Sequence, residues 1–431
     1  MEMMINPGRK EWEEICQRPT IDQSELEQLV SEIFAAVANN GDKAVVKYNK
    51  LFGGTNTDSL WLTDEEIKVA EQKVDEQLKK AIAEAQANIT RFHESQALET
   101  KMVETTPGVS CWQKQVSIDK VGIYIPGGSA PLFSTVLMLG IPAKIAGCKE
   151  IVLCTPPNDK GNIAPEILYT ASLLGIRKII KAGGIQAIAA MTHGTESVSA
   201  VYKIFGPGNQ YVTAAKTYAQ RLSVAIDMPA GPSEVLIFCD DTAEPAFVAA
   251  DLLSQAEHGS DSQVVLIGQS AKTLLAVQES VQEQLTQLPR RSIAEEALEN
   301  ARFLVIEKES EALDFINTYA PEHLILVGKN QQEWASKINN AGSVFIGPYS
   351  AESFGDYASG TNHTLPTSGF ARTYSGVSLQ SFCKTITFQQ VSQLGLKNLG
   401  PFVELMADAE GLYGHKNAIS VRLSSVLKNG K

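Results

Sequence analysis

Short β-branched apolar runs alternate with apolar helical stretches from about residue 121 onward. Alternation of this kind is typical of a parallel sheet flanked by helices. A second series of such runs begins at residue 235, so the pattern predicts two consecutive α/β units. The predicted strands are 121–125, 151–154, 178–181, 201–205 and 224–226 in the first unit, and 235–238, 264–267, 303–306, 324–327 and 344–346 in the second.

The residues before these units follow helical periodicity. Apolar positions spaced by three to five residues predict a helix over residues 20–50 that opens near Thr20. A capping-box pattern at residues 63–66 opens a second periodic stretch, which predicts one long helix ending near His93.

The segment between the two α/β units and the last part of the chain differ from them in composition. Residues 227–233 contain two prolines and a glycine, which disfavour regular structure between the two α/β units. Residues 347–376 are rich in Gly, Ser, Thr and Tyr and predict a long irregular loop of the sort kept for function. A mostly helical tail is expected to follow.

Composition excludes several classes of protein. The chain has 431 residues, of which 44% are hydrophobic and 20% charged, as in globular proteins. Its formal net charge of −12 and the lack of a basic run argue against nucleic acid as a partner. No stretch reaches the roughly 18 to 20 apolar residues of a spanning helix, so we expect no membrane partner and a cytoplasmic location. Six cysteines without CxxC spacing indicate free thiols.

The six histidines are few enough to compare one by one. Gln255 and His258 lie three residues apart at the end of a predicted helix, so both side chains share one face and could ligate a single ion. A histidine before a helix-ending glycine equally fits a role in capping the helix.

Two further histidines belong to stretches that also contain a carboxylate. Glu322 and His323 precede a predicted strand and point to opposite sides, so they could act as two proton-transfer groups, or be a surface carboxylate beside a satisfied histidine. Asp356 and His363 belong to a polar stretch with two glycines inside the irregular loop, which fits a binding loop or a plain turn.

The sequence around the remaining histidines gives less indication of function. His415 lies in the tail five residues after Glu410, and nothing local distinguishes it from a surface histidine. His93 and His193 lack acidic or metal-type neighbours and are interpreted as helix-end or surface residues.

Three glycine-rich turns each follow a predicted strand and open a helix. They are residues 126–131, 182–184 and 206–209. None has the GxGxxG or GxxxxGK[ST] pattern, so neither an ordinary Rossmann fingerprint nor a P-loop is present. Their placement still fits ligand binding, because helix N-termini at the carboxyl ends of parallel strands accept phosphate.

Taken together, these motifs resemble one family. They are long and occur in order over nearly the whole chain: VGIYIPGGSAPLFSTVLMLGIPAKIAG at 121–147, GPGN at 206–209, AIDMPAGPSEVLIF at 225–238, LLSQAEHGSDSQV at 252–264, PEHL at 321–324, AGSVFIG at 341–347, GDYASGTNHTLPT at 355–367 and GHKNA at 414–418. The sequence resembles the histidinol dehydrogenases.

The resemblance implies a zinc-containing, NAD-dependent enzyme that oxidises L-histidinol through L-histidinaldehyde to L-histidine and reduces two NAD. It implies that four residues bind zinc and contact the substrate: Gln255, His258, Asp356 and His415. It assigns acid/base work to Glu322 and His323, with His323 taking the hydroxyl proton and Glu322 activating water.

Other positions carry over by motif. His323, Ser233, His363 and Glu410 match substrate-contacting positions. Tyr124, Gln186 and Asn209 match positions that hold NAD.

The implied fold is α/β, with two incomplete Rossmann-like parallel-sheet domains and helical N-terminal and C-terminal extensions. Residues 1–22 would form an arm, 23–121 a helical segment packing with the second α/β domain at 235–376, and 122–234 the NAD-binding first domain. Residues 377–431 would cross to the other subunit of an intertwined homodimer, so that Glu410 and His415 complete the partner's site. A zinc hydrolase and a catalytically silent metal- or nucleotide-binding protein are the alternatives.

Overall fold

A computed structural model describes residues 2–18, 23–53, 59–127 and 130–428. The chain divides into two compact units, one of Met1–Ser95 with Ile118–Phe382 and one of Gln96–Ser117 with Cys383–Lys431. The first unit contains both predicted α/β sheets. Thr20, where the helix over residues 20–50 was predicted to open, lies outside the described residues, as do Gly128 and Ser129 of the first glycine-rich turn. The prediction of one helix is wrong, because Gly41, with a φ of 54°, separates two helices, Gln23–Asn40 and Asp42–Gly53.

The first unit begins with one strand and five helices. They are β1 (Glu2–Ile5), α1 (Trp12–Ile15), α2 (Gln23–Asn40), α3 (Asp42–Gly53), α4 (Asp64–Glu71) and α5 (Glu76–Glu94). The predicted capping box at Thr63 opens α4, but the prediction of one long helix is wrong. Asp75 has extended backbone and accepts hydrogen bonds from the N–H groups of Gln77 and Leu78, so it caps a separate helix.

The first sheet follows a hairpin, β2 (Met102–Thr106) and β3 (Val109–Ser117), that belongs to the second unit. Its elements are β4 (Lys120–Tyr124), α6 (Phe133–Ala146), β5 (Glu150–Thr155), α7 (Pro165–Leu173), β6 (Lys178–Lys181), α8 (Gly184–His193), β7 (Lys203–Phe205), α9 (Gln210–Arg221) and β8 (Ala225–Ile226). All pairs are parallel in the order β6-β5-β4-β7-β8, and the five predicted strands are confirmed.

The second sheet is also parallel, in the order β1-β11-β10-β9-β12-β13. Its elements are β9 (Glu234–Cys239), α10 (Pro245–Ala256), β10 (Gln263–Gly268), α11 (Ala271–Leu285), α12 (Arg291–Glu299), β11 (Arg302–Val305), α13 (Glu309–Tyr319), β12 (His323–Val327), α14 (Gln331–Ser336), β13 (Ser343–Ile346) and α15 (Glu352–Tyr357). The five predicted strands are again confirmed. The loop expected at 347–376 contains α15, and the edge strand β1 was not predicted.

The N-terminal helices pack mainly on the first sheet. Apolar residues of α2 and α3 share a core with α8 and α9, and those of α4 and α5 share another with α6 and α7. This differs from the expected packing of residues 23–121 with the second α/β domain. The physical reason is that α6 is buried all round its circumference, so it needs α5 as a covering layer.

The second unit contains an antiparallel sheet and a helical hairpin. β14 (Cys383–Val391) pairs with β3, which pairs with β2, and the chain ends in α16 (Gln393–Ala409) and α17 (Tyr413–Lys428). The mostly helical tail was therefore predicted without β14, whose residues are almost all exposed and show no buried alternation. Across the described ranges, no helix is long and apolar enough to cross a membrane.

Candidate active site

An imidazole and several carboxylates meet at the amino ends of β9 and β12, in the centre of the second sheet. His323 is the first residue of β12 and pairs in register with Val235 of β9 and Ser343 of β13. Glu322 precedes it, and both side chains are buried, with 5% and 4% of the surface of Glu322 and His323 exposed. The predicted dipeptide is thus fixed by strands on both sides, which excludes a surface carboxylate.

The backbone of Glu234, the first residue of β9, contacts both members of this pair. Its N–H donates to Glu322 Oε2 at 2.8 Å. Its carbonyl oxygen lies 3.1 Å from His323 Nδ1, and since a carbonyl only accepts, Nδ1 carries the proton. In the neutral form of the ring the lone pair is on His323 Nε2, which has no hydrogen-bond partner among the described residues.

Burial and charge shift the pKa values of this pair upward. Burial raises the pKa of Glu322 to about 8, although His323 and the Glu234 N–H act in the opposite direction. Burial alone would lower the pKa of His323, but the carboxylates of Glu352, Glu322 and Asp356 raise it well above its usual range. Glu322 can therefore exchange protons near neutral pH.

Three side chains beside His323 could hold a metal ion. His258, Glu352 and Asp356 each offer a ligand atom, and these atoms lie within 4.8 Å of one another. The structure thus brings together two predicted ligands and adds Glu352, which lies one turn before Asp356 on α15 and is only 1% exposed. Sequence reasoning missed Glu352 because its stretch was interpreted as irregular loop; the four-residue spacing to Asp356 was the available signal.

The side chain of Gln255 is a second feature that indicates a metal site. It is fully buried near the end of α10, and neither its amide nitrogen nor its amide oxygen has a hydrogen-bond partner among the described residues. An unpaired buried amide costs on the order of 1–3 kcal/mol, so such groups usually have a partner. An amide oxygen with an imidazole and carboxylates is a donor set suited to a divalent cation.

The loop that carries His363 is anchored on α6. His363 Nδ1 donates to the Asp356 carbonyl oxygen at 2.9 Å, and Nε2 lies 3.0 Å from the Thr135 hydroxyl. Asn362 donates to the Met138 carbonyl oxygen at 2.6 Å, and its amide lies 3.4 Å from His93 Nε2. His93 is at a helix end as predicted, but it is completely buried and supports this loop.

Three further residues were predicted to contact the substrate. Ser233 is half-buried just before β9. Glu410 directly follows α16 and His415 lies in the first turn of α17, both exposed on the second unit. His193 is exposed at the end of α8, as predicted.

A separate cavity of about 760 Å³ lies at the carboxyl ends of the first sheet. The three residues predicted to hold NAD, Tyr124, Gln186 and Asn209, all line it. The Tyr124 hydroxyl accepts from the N–H of Gly184 at 3.0 Å, and Asn209 caps α9.

Gln186 is the buried member of this group. Its Nε2 donates to Asn49 Oδ1 at 3.0 Å, whereas its Oε1 has no partner among the residues described. The N-termini of α8 and α9 open at the same cavity, since Gly184 and Asn209 line it, which suits an anionic ligand.

These features define an α/β enzyme with a cavity on one parallel sheet and a buried glutamate–histidine pair beside candidate metal ligands on the other. The family model described as histidinol dehydrogenase matches residues 16–423. The chain therefore belongs to the histidinol dehydrogenase family of histidine-biosynthesis enzymes, which confirms the resemblance of the motifs.

Curated relatives and a solved structure agree with this assignment. The histidinol dehydrogenase of Bacteroides thetaiotaomicron is 56% identical over 99% of this chain and 100% of its own length. The chloroplastic histidinol dehydrogenase of Arabidopsis thaliana is 51% identical over 95% of this chain and 88% of its own. The crystal structure of histidinol dehydrogenase from Elizabethkingia anophelis matches with a TM-score of 0.96 at 56% identity, covering 99% of this chain and 98% of that one.

Proposed function

We propose that this protein oxidises L-histidinol through L-histidinaldehyde to L-histidine, with NAD as the oxidant in both steps and with a bound zinc ion. The observation that carries the proposal is the placement of His323 Nε2 beside Asp356, within a cluster of metal-type ligands. An alcohol oxidation needs a base for the hydroxyl proton, and a base that lies beside a substrate-orienting ion meets that need.

His323 takes the hydroxyl proton of histidinol in the first oxidation. Its Nδ1–H is committed to the Glu234 carbonyl, so Nε2 is the atom that accepts. The carbon that bears the hydroxyl loses a hydride at the same time and becomes the aldehyde.

Glu322 prepares the second oxidation by accepting a proton from water, which attacks the aldehyde to give the hydrate. The Glu234 N–H fixes the Glu322 carboxylate at 2.8 Å, so the carboxylate is held before the water reacts. Loss of a second hydride and a second hydroxyl proton from the hydrate gives the carboxylic acid, so one water and two hydride acceptors balance the reaction.

Gln255, His258 and Asp356 would hold the zinc ion from this subunit. The orphaned amide of Gln255 and the proximity of His258 to Asp356 fit that role. Zinc, when bound, supplies Lewis-acid polarisation and fixes the substrate without any redox change. The imidazole and amine of the substrate would offer nitrogen donors of the kind that zinc accepts.

Tyr124, Gln186 and Asn209 would hold NAD in the cavity of the first sheet. The strand order β6-β5-β4-β7-β8 corresponds to 3-2-1-4-5, the first five strands of the classic dinucleotide-binding sheet, and β11-β10-β9-β12-β13 has the same order. This order supports two incomplete Rossmann-like domains. When bound, NAD supplies the hydride acceptor.

A homodimer with shared active sites would bring Glu410 and His415 to the partner's site. Many large apolar side chains of the second unit are exposed, which supports burial against another subunit. They include Met102, Val103, Phe388, Leu394, Phe402, Leu405, Met406, Tyr413 and Leu427. The cytoplasmic location stays a prediction.

The direct test is to mix the zinc-loaded protein with NAD and L-histidinol and to follow NADH absorbance. Steady NADH formation is the expected result. Zinc binding without NADH formation would favour the silent binding protein, and hydrolysis of an ester or amide without NADH would favour the zinc hydrolase.

A further inference from the structure

We propose that Glu234 is a positioning residue for Glu322 and His323, and that Arg18 of the N-terminal segment holds it in place. No motif that carries the family resemblance includes Arg18. Because the assay below is NADH formation from L-histidinol, this role rests on the proposed function.

The backbone of Glu234 sets the geometry of both proton-transfer groups. Its N–H orients the Glu322 carboxylate at 2.8 Å, and its carbonyl accepts from His323 Nδ1 at 3.1 Å. The second contact selects the imidazole tautomer and so determines that Nε2 is the basic atom. A shift of the Glu234 backbone would therefore misdirect both groups together.

The side chain of Glu234 anchors this backbone in addition to the pairing of β9 with β10. It is completely buried, and its two carboxylate oxygens accept from Nε and Nη2 of Arg18, each at 3.0 Å. Oε1 also accepts from the N–H of Ser368 at 2.7 Å, which ties the pair to the loop that follows Asp356 and His363. A two-pronged contact of this kind holds direction as well as distance.

Arg18 also contacts the segment that leads into the other strand, β12. Its Nη2 donates to the carbonyl oxygen of Tyr319 at 2.9 Å, and its guanidinium lies 3.7 Å from the centre of the Tyr319 ring. Tyr319 ends α13, three residues before Glu322. Arg18 Nη1 donates to the carbonyl oxygen of Cys16 at 2.7 Å, so the side chain is also fixed to its own segment. One guanidinium thus joins the entrances of β9 and β12.

The energetics favour positioning over stabilisation. Burying both charges costs solvation that their attraction roughly offsets, so a neutral pair of similar shape would serve stability equally well. A lysine at residue 18 could keep the charge, but it could not make the two-pronged contact or stack on Tyr319 in the same way.

The test compares Arg18→Lys and Glu234→Gln with Arg9→Gln. Arg9 lies on the same N-terminal segment and pairs with Asp314 of α13, but both side chains are exposed, so Arg9→Gln is a matched control. We expect kcat to fall at least about tenfold in the first two variants, since misplacement of about 1 Å costs on the order of 10²-fold. The KM for NAD and the zinc content should stay at wild-type values, the pH profile of kcat should shift, and Arg9→Gln should match wild type.

A double variant, Arg18→Met with Glu234→Gln, separates positioning from folding because it leaves no unpaired buried charge. The positioning role predicts wild-type thermal stability with kcat still reduced at least about tenfold. Wild-type kcat and pH profile in the folded double variant, or in Arg18→Lys, would overturn it. If wild type and Arg9→Gln form no NADH from histidinol, the proposed function fails instead.

Discussion

The Nε2 atom of His323 lies 3.6 Å from Oδ1 of Asp356, so the proposed base and a proposed zinc ligand are neighbours. The distance is too long for a hydrogen bond and leaves the Nε2 lone pair available to a substrate proton. Substitutions on the two sides of this contact should therefore separate proton transfer from metal binding.

Replacement of His323 by Gln should slow turnover strongly and leave zinc in place. A general base contributes typically 10²–10⁴-fold, so NADH formation from histidinol should fall by about that factor. The measurement is the NADH rate together with zinc per subunit. His193→Gln, at an exposed helix end, is the control and should behave as wild type. Turnover near the wild-type rate in His323→Gln would contradict the assignment.

Replacement of His258 by Ala should lower zinc affinity as well as activity. His258 offers one of the ligand atoms in the cluster with Glu352 and Asp356 and is itself exposed, so its loss leaves no cavity in the core. Competition with a chromogenic chelator gives the affinity, and we expect a loss of at least about tenfold, or ~1.4 kcal/mol. Unchanged zinc affinity would exclude His258 as a ligand.

Oxidation of histidinaldehyde should depend on pH through Glu322. Burial raises the pKa of Glu322 to about 8 against the opposing effects of His323 and the Glu234 N–H, with the Glu234 and Glu352 charges adding to the rise. At pH 7 the carboxyl is therefore mostly protonated, and only the ionised form can accept a proton from water. The rate should rise with pH to a plateau, with a midpoint near 8.

Glu322→Gln tests this assignment with a side chain of the same shape. It should lose aldehyde oxidation and with it the rise near pH 8, whereas Glu333→Gln, at an exposed position of α14, should keep both. A Glu322→Gln enzyme with the wild-type pH profile would show that another group activates the water.

Replacement of Gln186 by Met should weaken NAD binding specifically. Loss of the buried amide, whose Oε1 is unpaired within the described residues, should raise the KM for NAD about tenfold, or ~1.4 kcal/mol. The KM for histidinol and the zinc content should not change. Gln284→Met, at a helix position away from the cavity, is the control. A change in the KM for histidinol alone would indicate that Gln186 acts in substrate binding and not in NAD binding.

Mixing two inactive variants tests the shared active site. In a mixed dimer of His323→Gln and His415→Ala subunits, one site would combine both defects and the other would be intact if the tail crosses. Random assembly gives half mixed dimers, so about a quarter of wild-type activity should return. If each tail serves its own subunit, no activity should return.

Strands were easier to predict than the segments around them, for a physical reason. Parallel strands buried on both faces are continuous apolar runs, as in β9 and β10. β14 has nearly every residue exposed, so its sequence has no such run. The break between α4 and α5 was hidden because the apolar spacing continues through it, although Asp75 caps the second helix.

The candidate site also contains features that local sequence patterns do not reveal. The motif residues Glu322, His323 and Asp356 were predicted because they lie in recognisable stretches. The contact of Arg18 with Glu234 joins residues that are 216 positions apart, and no local pattern contains it. Glu352 lies four residues before Asp356, but this spacing places both on one face only if the stretch is helical, and the stretch was predicted as an irregular loop rather than α15.

The yield of NADH per molecule of L-histidinol tests the central claim most directly. The zinc-loaded enzyme should be incubated with limiting histidinol and excess NAD until absorbance stops rising, and histidine should be quantified in the same sample. The four-electron reaction predicts two NADH and one L-histidine per histidinol. One NADH per histidinol, with aldehyde rather than histidine as product, would contradict it.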